Sequence, residues 1–134
     1  MCLKKITGEA PKQGFGYKAF IWCRTVPGRV YSYFMPLWFE VGVWLEADTS
    51  FKLTFMIERE NRFNDIKVPT HIKQTYDSGF HIFAEIPQEL IDKGTVIYKV
   101  EYDEGTVEGI DDTLIYKGAK CIVAKKMKIL ERVN

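Results

Sequence analysis

The sequence contains no long apolar segment and no complete catalytic signature. No stretch reaches the roughly 18–20 uninterrupted apolar residues that a membrane-spanning helix needs. Residues 1–11 lack the apolar core of a secretory signal. P-loop, GxGxxG and GxSxG motifs are absent. We therefore expect a protein of the cytoplasm that has no membrane partner, and the sequence favours a non-enzymatic role with no catalytic residues assigned.

Cysteine and histidine are scarce, with three and two residues respectively. Cys2, Cys23 and Cys121 show no CxxC spacing, and only His71 and His81 could join them, so we expect neither a metal site nor a cofactor. An odd, sparse set of thiols is typical of a reducing compartment. The 19 basic and 18 acidic side chains leave a formal charge of +1. This balance lacks the basic excess of proteins that bind duplex nucleic acid.

Short segments of alternating apolar and polar residues predict a sheet-rich fold. The length of 134 residues is that of one ordinary domain. We predict a single α+β domain over residues 14–134, mainly an antiparallel β-sheet with one or two short helices, after an N-terminal leader over residues 1–13. Phe51, Leu53, Phe55 and Ile57 alternate and are predicted to face the core. Residues 58–75 are predicted to form an exposed loop with strand pieces, residues 86–93 a helix, and Gly105 a turn.

Aromatic residues are abundant and clustered. Six rings fall within residues 31–44, a segment that Pro36 and Gly42 interrupt. One interpretation is that these rings fill the core. The other is that they form a surface for base stacking or partner binding, because rings provide contact area at little cost in rotamer entropy. At least Trp38 or Trp44 is then expected to be partly exposed or to line a concavity.

Acidic and basic residues are segregated near the C-terminal end of the sequence. Six acidic residues fall within 101–112, and six basic residues fall within 117–132. Two interpretations remain open. Neighbouring antiparallel strands can carry complementary charges, or the basic residues can form a patch for phosphates or for an acidic protein surface.

His81, within the sequence GFHIF of residues 79–83, is the most distinctive single residue. It is either a core imidazole that bonds the backbone or a polar group at the floor of a pocket. In the pocket interpretation, basic side chains of the first strands contact an anionic ligand beside the aromatic rings. The complete candidate ligand-binding set is Lys18, Arg24, Arg29, Tyr31, Tyr33, Trp38, Trp44 and His81.

Four features recur together in a known group of proteins. They are the opening Met1-Cys2, the strand sequence of residues 17–20, the GFHIF block and the Lys-rich segment of residues 125–129. In these features the chain resembles a family of small bacteriophage and prophage proteins of unassigned function. The resemblance implies a protein that acts on the host, in the cytoplasm of the host cell.

The order of predicted elements is also similar to that of ADP-ribosyltransferase-like folds. Those enzymes use an Arg or His on the first strand and a glutamate near a late strand to bind and activate NAD. Here the first strand has Tyr17 and Lys18, and the late acids Glu101 and Glu108 lie in no motif. The resemblance therefore implies the fold more than the activity.

We favour a non-enzymatic phage-type binding protein that acts on host defence. Its partner would be a nucleotide-like signal that it sequesters or a host protein that it caps. The alternatives are an ADP-ribosyltransferase-like enzyme that uses NAD and a protein–protein adaptor with an exposed aromatic surface. A ligand-binding protein would place its rings around a cavity, whereas an adaptor would place them on a convex or flat surface.

Overall fold

A computed structural model describes residues 3, 5–21, 29–32, 38–48, 52–63, 66–92, 95–111 and 118–134. The strands in these ranges are β1 (Lys5–Glu9), β2 (Gln13–Ile21), β3 (Arg29–Ser32), β4 (Trp38–Glu40), β5 (Trp44–Glu46), β6 (Lys52–Phe63), β7 (Ile66–Asp77), β8 (Phe80–Phe83), β9 (Val96–Asp111) and β10 (Ala119–Arg132). The helix is α1 (Gln88–Asp92), inside the predicted range 86–93. The fold is therefore rich in antiparallel sheet, as predicted, and helix contributes little to it. No helix of the described ranges is long and apolar enough to cross a membrane.

Eight strands form one antiparallel sheet in the order β1-β9-β10-β8-β2-β3-β4, and β5 pairs with β10. Strand β2 pairs with β9 as well as with β8, so β9, β10, β8 and β2 form a closed ring of four strands. Between β2 and β8 only Tyr17 and Phe83 are paired. This ladder closes the ring and is shorter than the other three ladders of the ring.

The strands of this ring share a cluster of buried apolar residues, which we call the inner cluster. Every strand of the ring contributes to it: Phe20 from β2, Ile82 from β8, Val100 and Tyr102 from β9, and Ile122, Ala124, Met127 and Ile129 from β10. Phe20 and Ile82 are at most 1% exposed. Burial of such side chains stabilises the fold by about 1.5–3 kcal/mol each.

A second apolar cluster joins the ring to segments outside it. Its buried members are Leu3, Ala19, Tyr76, Phe83, Leu90, Ile97, Cys121 and Val123. Leu3 and the strand β1 lie in the range predicted to be a leader, yet Leu3 is completely buried and β1 pairs with β9. The N-terminal residues are thus part of the fold, because their apolar side chains cover surface that the ring leaves open.

Strands β6 and β7 form a separate two-stranded sheet, which we call the arm. Its ladder of 12 residue pairs runs from Lys52↔Asp77 to Phe63↔Ile66. The strand pieces predicted near residues 66–68 and 71–76 lie within β7. The exposed loop predicted over residues 58–67 was wrong, because backbone pairing between the two strands forms a hairpin despite the polar sequence. Leu53 is half-buried against the second cluster, as predicted for its face. Phe51 and the side chains of Phe55 and Ile57 lie outside what the structure describes.

The turn predicted at Gly105 was also wrong, because β9 continues through it. The register between β9 and β10 shifts there, from Val123↔Val107 to Ala124↔Gly105. Glu104 has a φ of 54°, and Gly105 donates its N–H to the carbonyl of Lys12 at 3.1 Å. The glycine that predicted a turn therefore lies at a β-bulge inside β9.

Candidate functional site

The structure describes the predicted site residues unevenly. Arg24 and Tyr33 lie outside the described residues. Arg29, Tyr31 and Trp38 lie on paired strands, with Arg29 opposite Glu40 and Tyr31 opposite Trp38, but their side chains are outside what is described. The side chains of Lys18, Trp44 and His81 are described, and they divide between two places in the fold.

His81 is 7% exposed and lies in the second cluster beside Tyr76. Its Nε2 is 2.9 Å from the Tyr76 hydroxyl, and the two groups form a hydrogen bond. Burial, and next the charge of Lys18, lower the pKa of His81 to about 3. The imidazole is therefore neutral at physiological pH.

Lys18 lies next to His81, as the pocket hypothesis required, but its ammonium bonds the backbone of β8. Its Nζ donates to the carbonyl oxygen of His81 at 2.9 Å. The ladder between β2 and β8 ends at Tyr17 and Phe83, so the ammonium bonds a carbonyl of β8 where the strands separate. Burial lowers the pKa of Lys18 to about 8. The Lys18 side chain thus links β2 to β8 beside the closure of the ring.

Two further polar residues of this buried region were missed by the sequence analysis. Cys121 and Asp111 are completely buried. Burial, and next the Asp111 carboxylate, raise the pKa of the Cys121 thiol to about 12. The sequence signal for the burial of Asp111 was its position at the end of an alternating strand.

Lys18, Tyr76, His81, Asp111 and Cys121 form what we call the buried polar cluster. Its chemistry favours structure over catalysis. A thiol with a pKa near 12 supplies almost no thiolate nucleophile at neutral pH. An imidazole with a pKa near 3 is a weak base at neutral pH. The cluster therefore fixes strands and segments relative to one another.

Trp44 lies elsewhere, on the opposite side of the sheet from the inner cluster. Because Trp44 is opposite Lys128 and His81 is opposite Val123, five residues of β10 separate them, or about 17 Å. Trp44 is 47% exposed. The sequence analysis expected Trp38 or Trp44 to be partly exposed or to line a concavity, and Trp44 is exposed on a strand.

Register places Trp44 in a row of four residues that crosses β5, β10, β9 and β2. The row is Trp44, Lys128, Glu101 and Phe15, and a neighbouring row is Glu46, Lys126, Asp103 and Gln13. Between them runs the row Leu45, Met127, Tyr102 and Gly14, which faces the inner cluster. We call the eight residues of the first two rows the outer face.

The outer face has an exposed aromatic residue at each side and charges between. Phe15 is 58% exposed, and Nζ of Lys99 lies 4.9 Å from the centre of its ring. Three strand spacings separate Phe15 from Trp44, or about 14 Å. Lysines on β10 stand opposite acids on β9, as one interpretation of the segregated charges predicted. This face lies on the opposite side of the sheet from the row that packs in the inner cluster.

A shallow surface depression of about 260 Å³ lies beside α1. Its described lining includes Glu85, Pro87, Glu89, Ala119 and Lys120, and none of the predicted site residues. In the described part of the chain, no three His, Cys, Asp or Glu side chains are grouped as a metal site requires.

No protein-family model, curated protein or solved structure matches this chain. The assignment of function therefore depends on the residues of this chain and on their geometry.

Proposed function

We propose that this chain is a non-enzymatic, bacteriophage-type binding protein that captures a host defence protein through its outer face. The observation that carries the proposal is the exposure of Trp44 and Phe15, at 47% and 58%, on the side of the sheet opposite the inner cluster. Exposed aromatic residues on a rigid surface are typical of the energetic centres of protein interfaces. The host setting of the proposal comes from the resemblance to bacteriophage proteins.

The charges between the two rings support a protein as the partner. Lys126 and Lys128 stand opposite Asp103 and Glu101, so basic and acidic groups alternate across the face. Phosphates would favour a cationic surface, whereas a protein surface can match charges of both signs. The buried polar cluster supports the non-enzymatic part of the proposal, because its thiol and imidazole are neutral and poorly reactive near pH 7.

The proposal is tested by capture of host proteins with the immobilised chain. Bound proteins are quantified for the wild type, Trp44→Ala and Phe15→Ala. We expect a specific partner whose capture falls at least tenfold in both variants, since central aromatic residues of an interface contribute 2 kcal/mol or more. The partner is then purified, and its dissociation constant is measured with each variant.

Ile91→Ala is the matched control, because Ile91 is 46% exposed but lies on α1. Its capture of the partner should equal that of the wild type. Equal capture by all four proteins would contradict the proposal. A nucleotide or NAD that raises the melting temperature of the wild type and of Trp44→Ala equally would favour the ligand-binding alternative, and release of nicotinamide from NAD would favour the enzyme.

A further inference from the structure

The N-terminal segment and the arm meet at one side chain, Tyr76. This residue ends the arm opposite Leu53 and is 4% exposed in the second cluster. The backbone N–H of Leu3 donates to the Tyr76 hydroxyl at 2.9 Å, and that hydroxyl is also hydrogen-bonded to Nε2 of His81 at 2.9 Å. A single hydroxyl thus joins the N-terminal segment, the arm and β8.

The N-terminal segment is closely fitted to the strand beneath it. Ile6 is opposite Gly109 on β9, and a Cβ at Gly109 would collide with the carbonyl oxygen of Lys5 and lie 2.9 Å from Cδ1 of Leu3. Glycine at this position lets β1 approach and lets Leu3 reach the second cluster. By contrast, a Cβ at Gly8 would meet nothing within 4 Å.

The arm is held to the rest of the molecule at its root. No backbone ladder of the described strands joins β6 or β7 to the eight-stranded sheet. The described contacts between the arm and the rest of the molecule are the packing of Leu53 and Tyr76 in the second cluster and the hydrogen bonds of the Tyr76 hydroxyl. The Lys52–Asp77 ion pair and the bond that the Ser78 hydroxyl donates to the carbonyl of Asp48 join the two sides of the hairpin to each other. The orientation of the arm therefore depends on how Leu53 and Tyr76 are held.

We propose that Leu3 and β1 form a latch that fixes the arm through Tyr76. When the latch is docked, Leu3 covers Tyr76 and bonds its hydroxyl, so the root of the arm is rigid. When the latch leaves β9, Tyr76 loses both contacts and the arm reorients about its root. Because the two events share one contact, whatever displaces β1 frees the arm, and whatever binds the freed arm releases β1.

Hydrogen exchange of the full-length chain, read by mass spectrometry, tests this coupling. Gly109→Ala is designed to displace the latch without changing the arm. We expect amides of β1 and of residues 74–78 to exchange about three- to tenfold faster together, while those of residues 126–132 stay unchanged. Gly8→Ala is the matched control on the latch and should exchange as the wild type does.

Tyr76→Phe tests the coupling from the other side, because it removes the hydroxyl and keeps the ring. We expect faster exchange in β1, about three- to tenfold, the range expected for loss of one hydrogen bond. The proposal is overturned if Gly109→Ala accelerates β1 alone, or if Tyr76→Phe leaves β1 unchanged. Equal acceleration in residues 126–132 would mean that latch and arm open only by global unfolding, and would also overturn it.

Discussion

The imidazole of His81 is buried, neutral and hydrogen-bonded to Tyr76. Its neighbours explain why the GFHIF segment has a histidine at this place. Phenylalanine would remove the bond between His81 and the Tyr76 hydroxyl, and a charged side chain would need desolvation beside the Lys18 ammonium. The interpretation of His81 as a core imidazole explains this geometry, and its role in binding stays a prediction.

Acid sensitivity follows from the pKa of His81. The pKa of His81 is about 3 in the folded chain and 6.5 in the unfolded chain, so the unfolded state takes up the proton at a higher pH. The stability that the neutral imidazole contributes is fully present above pH 6.5 and is lost as the pH falls toward 3. We expect the free energy of unfolding to fall by about 2 kcal/mol between pH 7 and 5, measured by urea denaturation.

His81→Gln is the comparison variant for this prediction. Glutamine fits the buried site of His81 less well than the imidazole does, so the variant should be less stable at pH 7. The glutamine side chain takes up no proton between pH 7 and 5. Its stability should therefore change much less between pH 7 and 5. A wild type and a variant that lose the same free energy over this interval would assign the acid sensitivity to other groups.

Among the elements, strand β9 contains a β-bulge that separates its two pairing regions. Its first half pairs with β2 and its second half with β1, and the register against β10 shifts between the two. At this place Glu104 has a φ of 54°, a conformation that side chains with a Cβ disfavour. The Glu104 N–H donates to the Asp103 carboxylate at 2.8 Å, which supports the bulge locally.

Replacing Glu104 by glycine should therefore stabilise the protein. Glycine adopts positive φ without steric cost, so the substitution relieves backbone strain in the folded state. This relief should exceed the entropic cost of glycine in the unfolded chain by about 0.5–1 kcal/mol. Thermal unfolding should show a melting temperature a few degrees higher. Glu101→Gly on the same strand is the control and should be destabilising, since its φ is not positive. A lower melting temperature for Glu104→Gly would contradict this account of the bulge.

For the whole molecule, the two apolar clusters share their strands. Ala19 and Phe20 are neighbours in sequence but belong to different clusters, and so do Ile82 and Phe83. Loss of one cluster therefore removes support from the strands that line the other. The four strands of the ring should therefore unfold as one cooperative unit.

Leu3→Ala tests this cooperativity at the edge of the second cluster. Leu3 is completely buried, so its truncation should cost about 2–5 kcal/mol, and the denaturation curves from far-ultraviolet circular dichroism and tryptophan fluorescence should shift together. Val133→Ala is the control, because Val133 is 39% exposed and should change stability by less than about 0.5 kcal/mol. Separate transitions from the two probes would contradict a shared core.

Local pattern determined the sheet-rich class, the position of α1 and the alternation that faces Leu53 inward, because these depend on neighbours in the sequence. It also led to the expectation that some rings of residues 31–44 would be partly exposed or would line a concavity, and Trp44 is 47% exposed. Only the tertiary structure decided that Leu3 is core, that residues 52–63 and 66–77 pair as an arm, and that Lys18 and His81 meet while Trp44 lies about 17 Å away along β10. The physical reason is that strand pairing joins residues far apart in sequence, and burial depends on which segments come to cover each face of the sheet.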